Sequence, residues 1–212
     1  MFLRKLLPVI GLCCALGLAS ACAPKPVTPQ LRPVGAIAVA PFTAPNYHRG
    51  LLGGYQPEDG KPVKPETLAG LDAVVNQTLR AHGVSASGSP AAVKQCQEIV
   101  TFERSGKARE SAWSYWLGVG RCLPTDFLLV PQVLHWKELE GGGDPASVVL
   151  DLYLIDVRGE RLAARYHYDD TQKALTDNLL DLGKFVKRKG EWVTADTLAK
   201  EGIEAGLKEL GL

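Results

Sequence analysis

Methionine, histidine and long apolar runs are all scarce in this chain, and each scarcity closes a route to function. Of 212 residues one is Met and four are His. The histidines, His48, His82, His135 and His167, stand in no H-E-x-x-H or equivalent pattern, so no metal site and no histidine base is expected from spacing alone. No G-x-S-x-G, P-loop or dinucleotide fingerprint is found, and none of the five cysteines forms a C-x-x-C pair. Excess charge is missing as well: 24 Lys and Arg balance 23 Asp and Glu, which leaves no electrostatic footprint for nucleic acid. No apolar stretch reaches the roughly 18 residues needed to span a bilayer. The expectation is a non-enzymatic protein without cofactor or metal.

What is present begins at the amino terminus. Arg4 and Lys5 precede an apolar stretch over residues 6–18, and the small residues Ala19, Ser20 and Ala21 follow. That order is a secretory signal peptide, expected over residues 1–21. Ala19-Ser20-Ala21 satisfies the A-x-A rule of the ordinary signal peptidase, which would cut at the same bond. The next residue decides between the two: Leu18-Ala19-Ser20-Ala21-Cys22 resembles the bacterial lipobox, in which the cysteine thiol is acylated. It departs from the usual pattern in placing Leu four residues before the cysteine instead of three. Several acyl chains, at about 0.8 kcal/mol per buried methylene, hold a protein on a membrane without a spanning helix. Ala23 replaces the Asp that keeps such lipoproteins in the inner membrane, so the resemblance implies the periplasmic face of the outer membrane.

Cysteine arithmetic follows. Cys13 and Cys14 leave with the signal, Cys22 carries lipid, and Cys96 and Cys122 are the two thiols left in an oxidising compartment. A disulfide between them is expected, the alternative being two buried free thiols. Removing the signal also takes away Arg4 and Lys5, and the mature chain is close to neutral.

Residues 22–33 hold four prolines and little apolar pattern, so they read as the lipidated Cys and an extended tether with a reach of about 30 Å. One globular domain is expected over 34–212. Residues 34–42 read as a buried strand. Leu68, Leu71, Val75 and Leu79 set a helical stripe that Gly83 ends. Residues 84–87 are a candidate short strand, and helices are expected over 91–102 and 107–119. Residues 126–139, 147–157 and 160–168 form three strands of an antiparallel meander, with Pro131 pointing to an edge or a bulge in the first. In the third, Leu162, Ala164, Tyr166 and Tyr168 are expected on one face. Further helical stripes are Leu175, Leu179, Leu182 and Val186, then Ala199, Ile203, Leu207 and Leu210, the latter capped by Thr194. The fold class is α+β: a single domain with a mixed sheet covered by amphipathic helices.

Three pieces of this layout carry a family resemblance: Ala38-Val39-Ala40-Pro41-Phe42, Asp126 with the strand that follows it, and Leu154-Ile155-Asp156-Val157-Arg158-Gly159. Together they resemble the domain shared by the amino-terminal part of TolB and the lipoproteins CsgG and LpoB. That resemblance spans about residues 34–170. It implies an envelope lipoprotein whose domain binds other proteins, and it does not extend to the pore-forming hairpins of CsgG.

Candidate surfaces each have a plainer alternative. His167, Asp169 and Asp170 could gather a cation, although a solvated strand end is favoured. Trp113, Tyr115, Trp116, Trp136 and Trp192 could line a groove for a glycan, a lipid or a partner, although the core is favoured. Phe185, Lys187, Arg188 and Trp192 are the preferred partner surface, and a solvated helix end explains the same charges. The function expected is a membrane-anchored envelope lipoprotein with a non-catalytic protein-docking or assembly role; a glycan- or lipid-binding periplasmic module is the alternative. The identity of a protein partner and the oligomeric state are left open.

Overall fold

The computed structural model describes residues 33–45, 50–53, 62–104, 111–139, 145–171 and 193–212. The signal, Cys22, nearly all of the tether, the stripe from Leu175 to Val186 and the surface from Phe185 to Trp192 lie outside the described residues.

The described chain is an α+β domain. Four strands, β1 (Ile37–Val39), β2 (Phe127–Lys137), β3 (Ser147–Asp156) and β4 (Arg161–Thr171), form one sheet in the order β1-β2-β3-β4. β1 runs parallel to β2, while β2, β3 and β4 are the antiparallel meander. Helices α1 (Pro65–Ala81), α2 (Pro90–Arg104) and α3 (Ala112–Cys122) connect β1 to β2, and α4 (Ala195–Glu209) follows the sheet in the chain.

Local chemistry sets the helix ends. Pro65 starts α1, where a missing N–H costs nothing, and Gly83 ends it with φ +75°. The Ser89 hydroxyl accepts from the Ala92 N–H at the start of α2, Ser111 accepts from Ser114 at α3, and Thr194 accepts from Thr197 at α4.

Two apolar layers form on the two faces of the sheet. On the first, Leu71, Val75 and Leu79 of α1 and Leu198, Ile203 and Leu207 of α4 pack on Leu129, Leu150, Leu152 and Leu154. Each such side chain contributes about 1.5–3 kcal/mol by burial. On the second, Val93, Cys96 and Val100 of α2 and Trp116, Leu117 and Val119 of α3 pack on Leu128, Val130, Tyr153 and Ile155. β3 has both faces covered, as its continuous apolar run predicts.

Four expectations are corrected. The first strand pairs only over Ile37–Val39; beyond it the Ala40 N–H donates to the Leu129 carbonyl and the Thr43 N–H to the Pro131 carbonyl, while Pro41 and Phe42 step out between. Pro131 is therefore not on an edge strand. Its missing N–H faces the gap left by that step, so no ladder bond is lost, and a bulge lies nearby between Val133 and His135. Residues 84–87 give one isolated bridge, Ile37 with Ala86, in place of a strand. Finally, a register shift opposite Leu154 and Ile155 turns Leu162 away from Ala164, Tyr166 and Tyr168 and leaves it 45% exposed.

Candidate functional site

β3 carries one carboxylate in the middle of its apolar run, Asp151, and its exposure is 0%. An unpaired charge at such a depth costs several kcal/mol, so its partners decide whether the strand can form. They come from the neighbouring strands. Register places Asp151 between Gln132 and His167, and Tyr153 between Val130 and Arg165, all on the second face of the sheet. Asp151 Oδ2 accepts from the Tyr153 hydroxyl at 2.6 Å and from Arg165 Nη2 at 2.8 Å, while Oδ1 lies 2.8 Å from His167 Nδ1. The Arg165 guanidinium also sits 5.5 Å from the centre of the Tyr153 ring.

The row reaches sideways to a short strap, residues 50–53. Gln132, also 0% exposed, accepts from the Leu52 N–H at 3.1 Å and donates to the Gly50 carbonyl at 2.9 Å. The Tyr153 hydroxyl lies 2.9 Å from the Gly53 carbonyl, so one phenolic proton serves two acceptors. Burial first, and then the hydrogen bond and charge of Asp151, hold the Tyr153 phenol well above its ordinary pKa. Burial works against the charge on Arg165, but the hydrogen bond and charge of Asp151 outweigh it, and the net shift is upward.

Chemically, this is a satisfied network that ties the strap and β4 to the middle of the sheet. Both carboxylate oxygens are engaged and the row contains no Ser, Thr or Cys nucleophile. Only Arg165 and His167 reach solvent, with side chains 32% and 48% exposed.

The sequence-predicted residues fall as follows. Cys96 of α2 and Cys122 of α3 form a disulfide, with Cα atoms 5.7 Å apart. His167 binds Asp151, whereas Asp170 is buried and takes the Tyr168 hydroxyl at 3.2 Å, so the imagined cation group does not assemble. Among the described residues no group of three or more His, Cys, Asp or Glu could hold a metal ion. His82 Nδ1 meets the Leu212 carbonyl at 2.7 Å and joins the end of α1 to the end of α4, and His135 stands half-buried on β2. Trp116 and Trp136 are core residues, 3% and 5% exposed on opposite faces of the sheet, so they line no common groove. Cys22, Phe185, Lys187, Arg188 and Trp192 lie outside the described residues. What sequence reasoning missed is Asp151. An acid in the middle of SVVLDLYLID was the available signal, because a charge amid an apolar strand requires partners on the strands beside it.

No protein-family profile matches the chain, and no curated protein sequence does. Among solved structures, the chain is similar to the PelC dodecamer from Paraburkholderia phytofirmans, at 16% identity over 83% of this chain and 87% of that one, with a TM-score of 0.44. It is similar to the lipoprotein GNA1162 from Neisseria meningitidis at 14% identity over 73% and 94% of the two chains, with a TM-score of 0.41. Escherichia coli LpoB is a further neighbour, at 9% identity over 65% of this chain and 57% of that one, with a TM-score of 0.39.

Proposed function

We propose that this protein is a lipid-anchored lipoprotein of the bacterial envelope whose α+β domain docks other envelope proteins and performs no chemistry of its own. The observation that carries the reading is the run Leu18-Ala19-Ser20-Ala21-Cys22 after a basic and apolar leader, followed by a proline-rich tether in front of the domain. Among the described residues no helix is long and apolar enough to cross a membrane. The Asp151 row supports a docking role because its polar groups are spent on rigidity, while Arg165 and His167 present hydrogen-bonding groups on one face of β4.

Fractionation of cells carrying Cys22→Ser is the first test: the variant is released from or misplaced in the membrane fraction with its fold intact. A Cys22→Ser protein that stayed fully membrane-bound would overturn the anchor. Crosslinking in intact envelopes is the second, and it recovers a defined protein partner; recovery of none, with a monomer throughout, would sink the docking role. The alternative of a glycan- or lipid-binding groove rested on the tryptophans, and it loses Trp116 and Trp136 to the core.

A further inference from the structure

The end of the domain from which the tether departs has an unusual arrangement of charge. Gly35 takes φ +152°, and a side chain there would meet Asp126 Oδ2 at 2.6 Å, so the chain leaves the domain in contact with Asp126. The Ala36 N–H donates to the same Oδ2 at 2.9 Å. The β3–β4 turn closes over this point: the Val157 N–H donates to the Asp126 carbonyl, and Arg158 Nη2 lies 2.6 Å from Asp126 Oδ1. Two further ion pairs sit on the same turn, Arg161 with Asp156 at 2.9 Å and Arg121 with Glu160.

In two of these pairs the charges are not equally presented. The Asp126 and Asp156 side chains are 23% and 15% exposed, and both carboxylates accept backbone N–H groups, from Ala36 and Gly159. Their arginines stand outward, Arg158 at 82% and Arg161 at 67% exposed. Two exposed apolar side chains flank these groups in the chain: Leu162, next to Arg161, at 45%, and Val34, next to the Gly35 that abuts Asp126, at 92%. Lys25 and Arg32 add positive charge to the tether, which has no acid. An outward guanidinium pair next to exposed aliphatic groups, at the end fixed nearest to an acyl anchor, suits the phosphate and upper acyl zone of a bilayer.

We propose that this end of the domain, built from Val34, Arg158, Arg161 and Leu162, is a docking surface for anionic phospholipid headgroups, which seats the domain on the membrane in one orientation. The inference rests on the reading of Cys22 as the lipid anchor, because the anchor brings this surface within reach of the bilayer.

The test uses the mature full chain, lipidated at Cys22 and reconstituted on vesicles of phosphatidylcholine alone or with phosphatidylglycerol, with amide exchange read across residues 157–162. Exchange slows several-fold on the anionic vesicles only. About 0.5 M salt, which shortens the screening length to roughly 4 Å, reverses the effect. Arg158→Glu with Arg161→Glu abolishes it while the variant still sediments with both vesicle types, and Arg158→Gln with Arg161→Gln does the same if the charge reversal unfolds the turn. Equal exchange on the two vesicle types overturns the docking surface, as does protection that survives salt. Failure of the anchor is read separately, as loss of sedimentation with phosphatidylcholine vesicles; the chain's own binding to anionic vesicles then still decides for or against the surface.

Discussion

Under α1 and α4 the cover of the sheet is apolar from Leu71 and Val75 to Ile203 and Leu207, with a buried carboxylate, Asp170, near the end of β4. Under α2 and α3, among the described residues, the apolar cover gives way part-way along to Gln132, Asp151, Arg165 and His167, and Gln132 binds the strap. The first face is held by close packing. Gly202 and Gly206 of α4 lie so near the rings of Tyr168 and Tyr166 that a Cβ at either would come within 2.6 Å and 2.4 Å of a ring carbon. The second face is held by a covalent bridge between its helices and by a buried ionic row. Burial needs only shape, so it tolerates small losses; a buried charge needs each of its partners.

That contrast can be broken most forcefully at the row. Asp151→Ala leaves Arg165 and Tyr153 without their common acceptor and is expected to cost about 3–5 kcal/mol, read as a fall in urea midpoint. A loss under about 1 kcal/mol would show that the second face does not depend on the row. Next comes the bridge: Cys96→Ser with Cys122→Ser is expected to cost about 3 kcal/mol in thermal or urea unfolding and to leave the first face folded. On that first face, Gly206→Ala is expected to cost about 1–3 kcal/mol, because the Tyr166 ring and the Leu152 methyl must both move. A neutral Gly206→Ala would mean that the α4 contact is looser than its geometry.

The smallest effect sharpens the comparison through pH. Asp72 of α1 accepts the Phe42 N–H at 2.7 Å, and burial, only partly offset by that bond, raises its carboxyl above the ordinary 3.8. A raised acid binds its proton more tightly when folded, so its contribution is greatest below pH 3.8 and is lost as pH rises through the folded value. Asp72→Asn keeps an acceptor for Phe42 without the charge. The variant is expected to gain on the parent between acid and neutral pH, by about 1 kcal/mol or less. A parent-to-variant difference that is flat with pH would remove the titration from the account.

How much of this was legible follows from the same physics. The helical stripe from Leu71 to Leu79, the cap at Thr194 and the stop at Gly83 are local, and the sequence read them correctly. The meander was legible because its strands are long and the last two are joined by a short turn. The pairing of β1 and the place of Pro131 were not, since each depends on which strand lies alongside. Leu162 was misplaced for a related reason: a one-residue shift in register reverses a side chain's face, and nothing in residues 160–168 announces it.

Sequence alone was enough for the Cys96–Cys122 pairing, the fold class and the apolar stripes of α1 and α4. These follow from composition, spacing and period, which belong to one stretch of chain at a time. Tertiary packing brought Asp151 to Tyr153, Arg165, His167 and, through Tyr153, the strap at Gly53. It also decided that the arginines of the β3–β4 turn would gather where the tether leaves. The row and the turn depend on strand register, the strap contact joins residues 100 positions apart, and each is fixed by the packing of the whole domain.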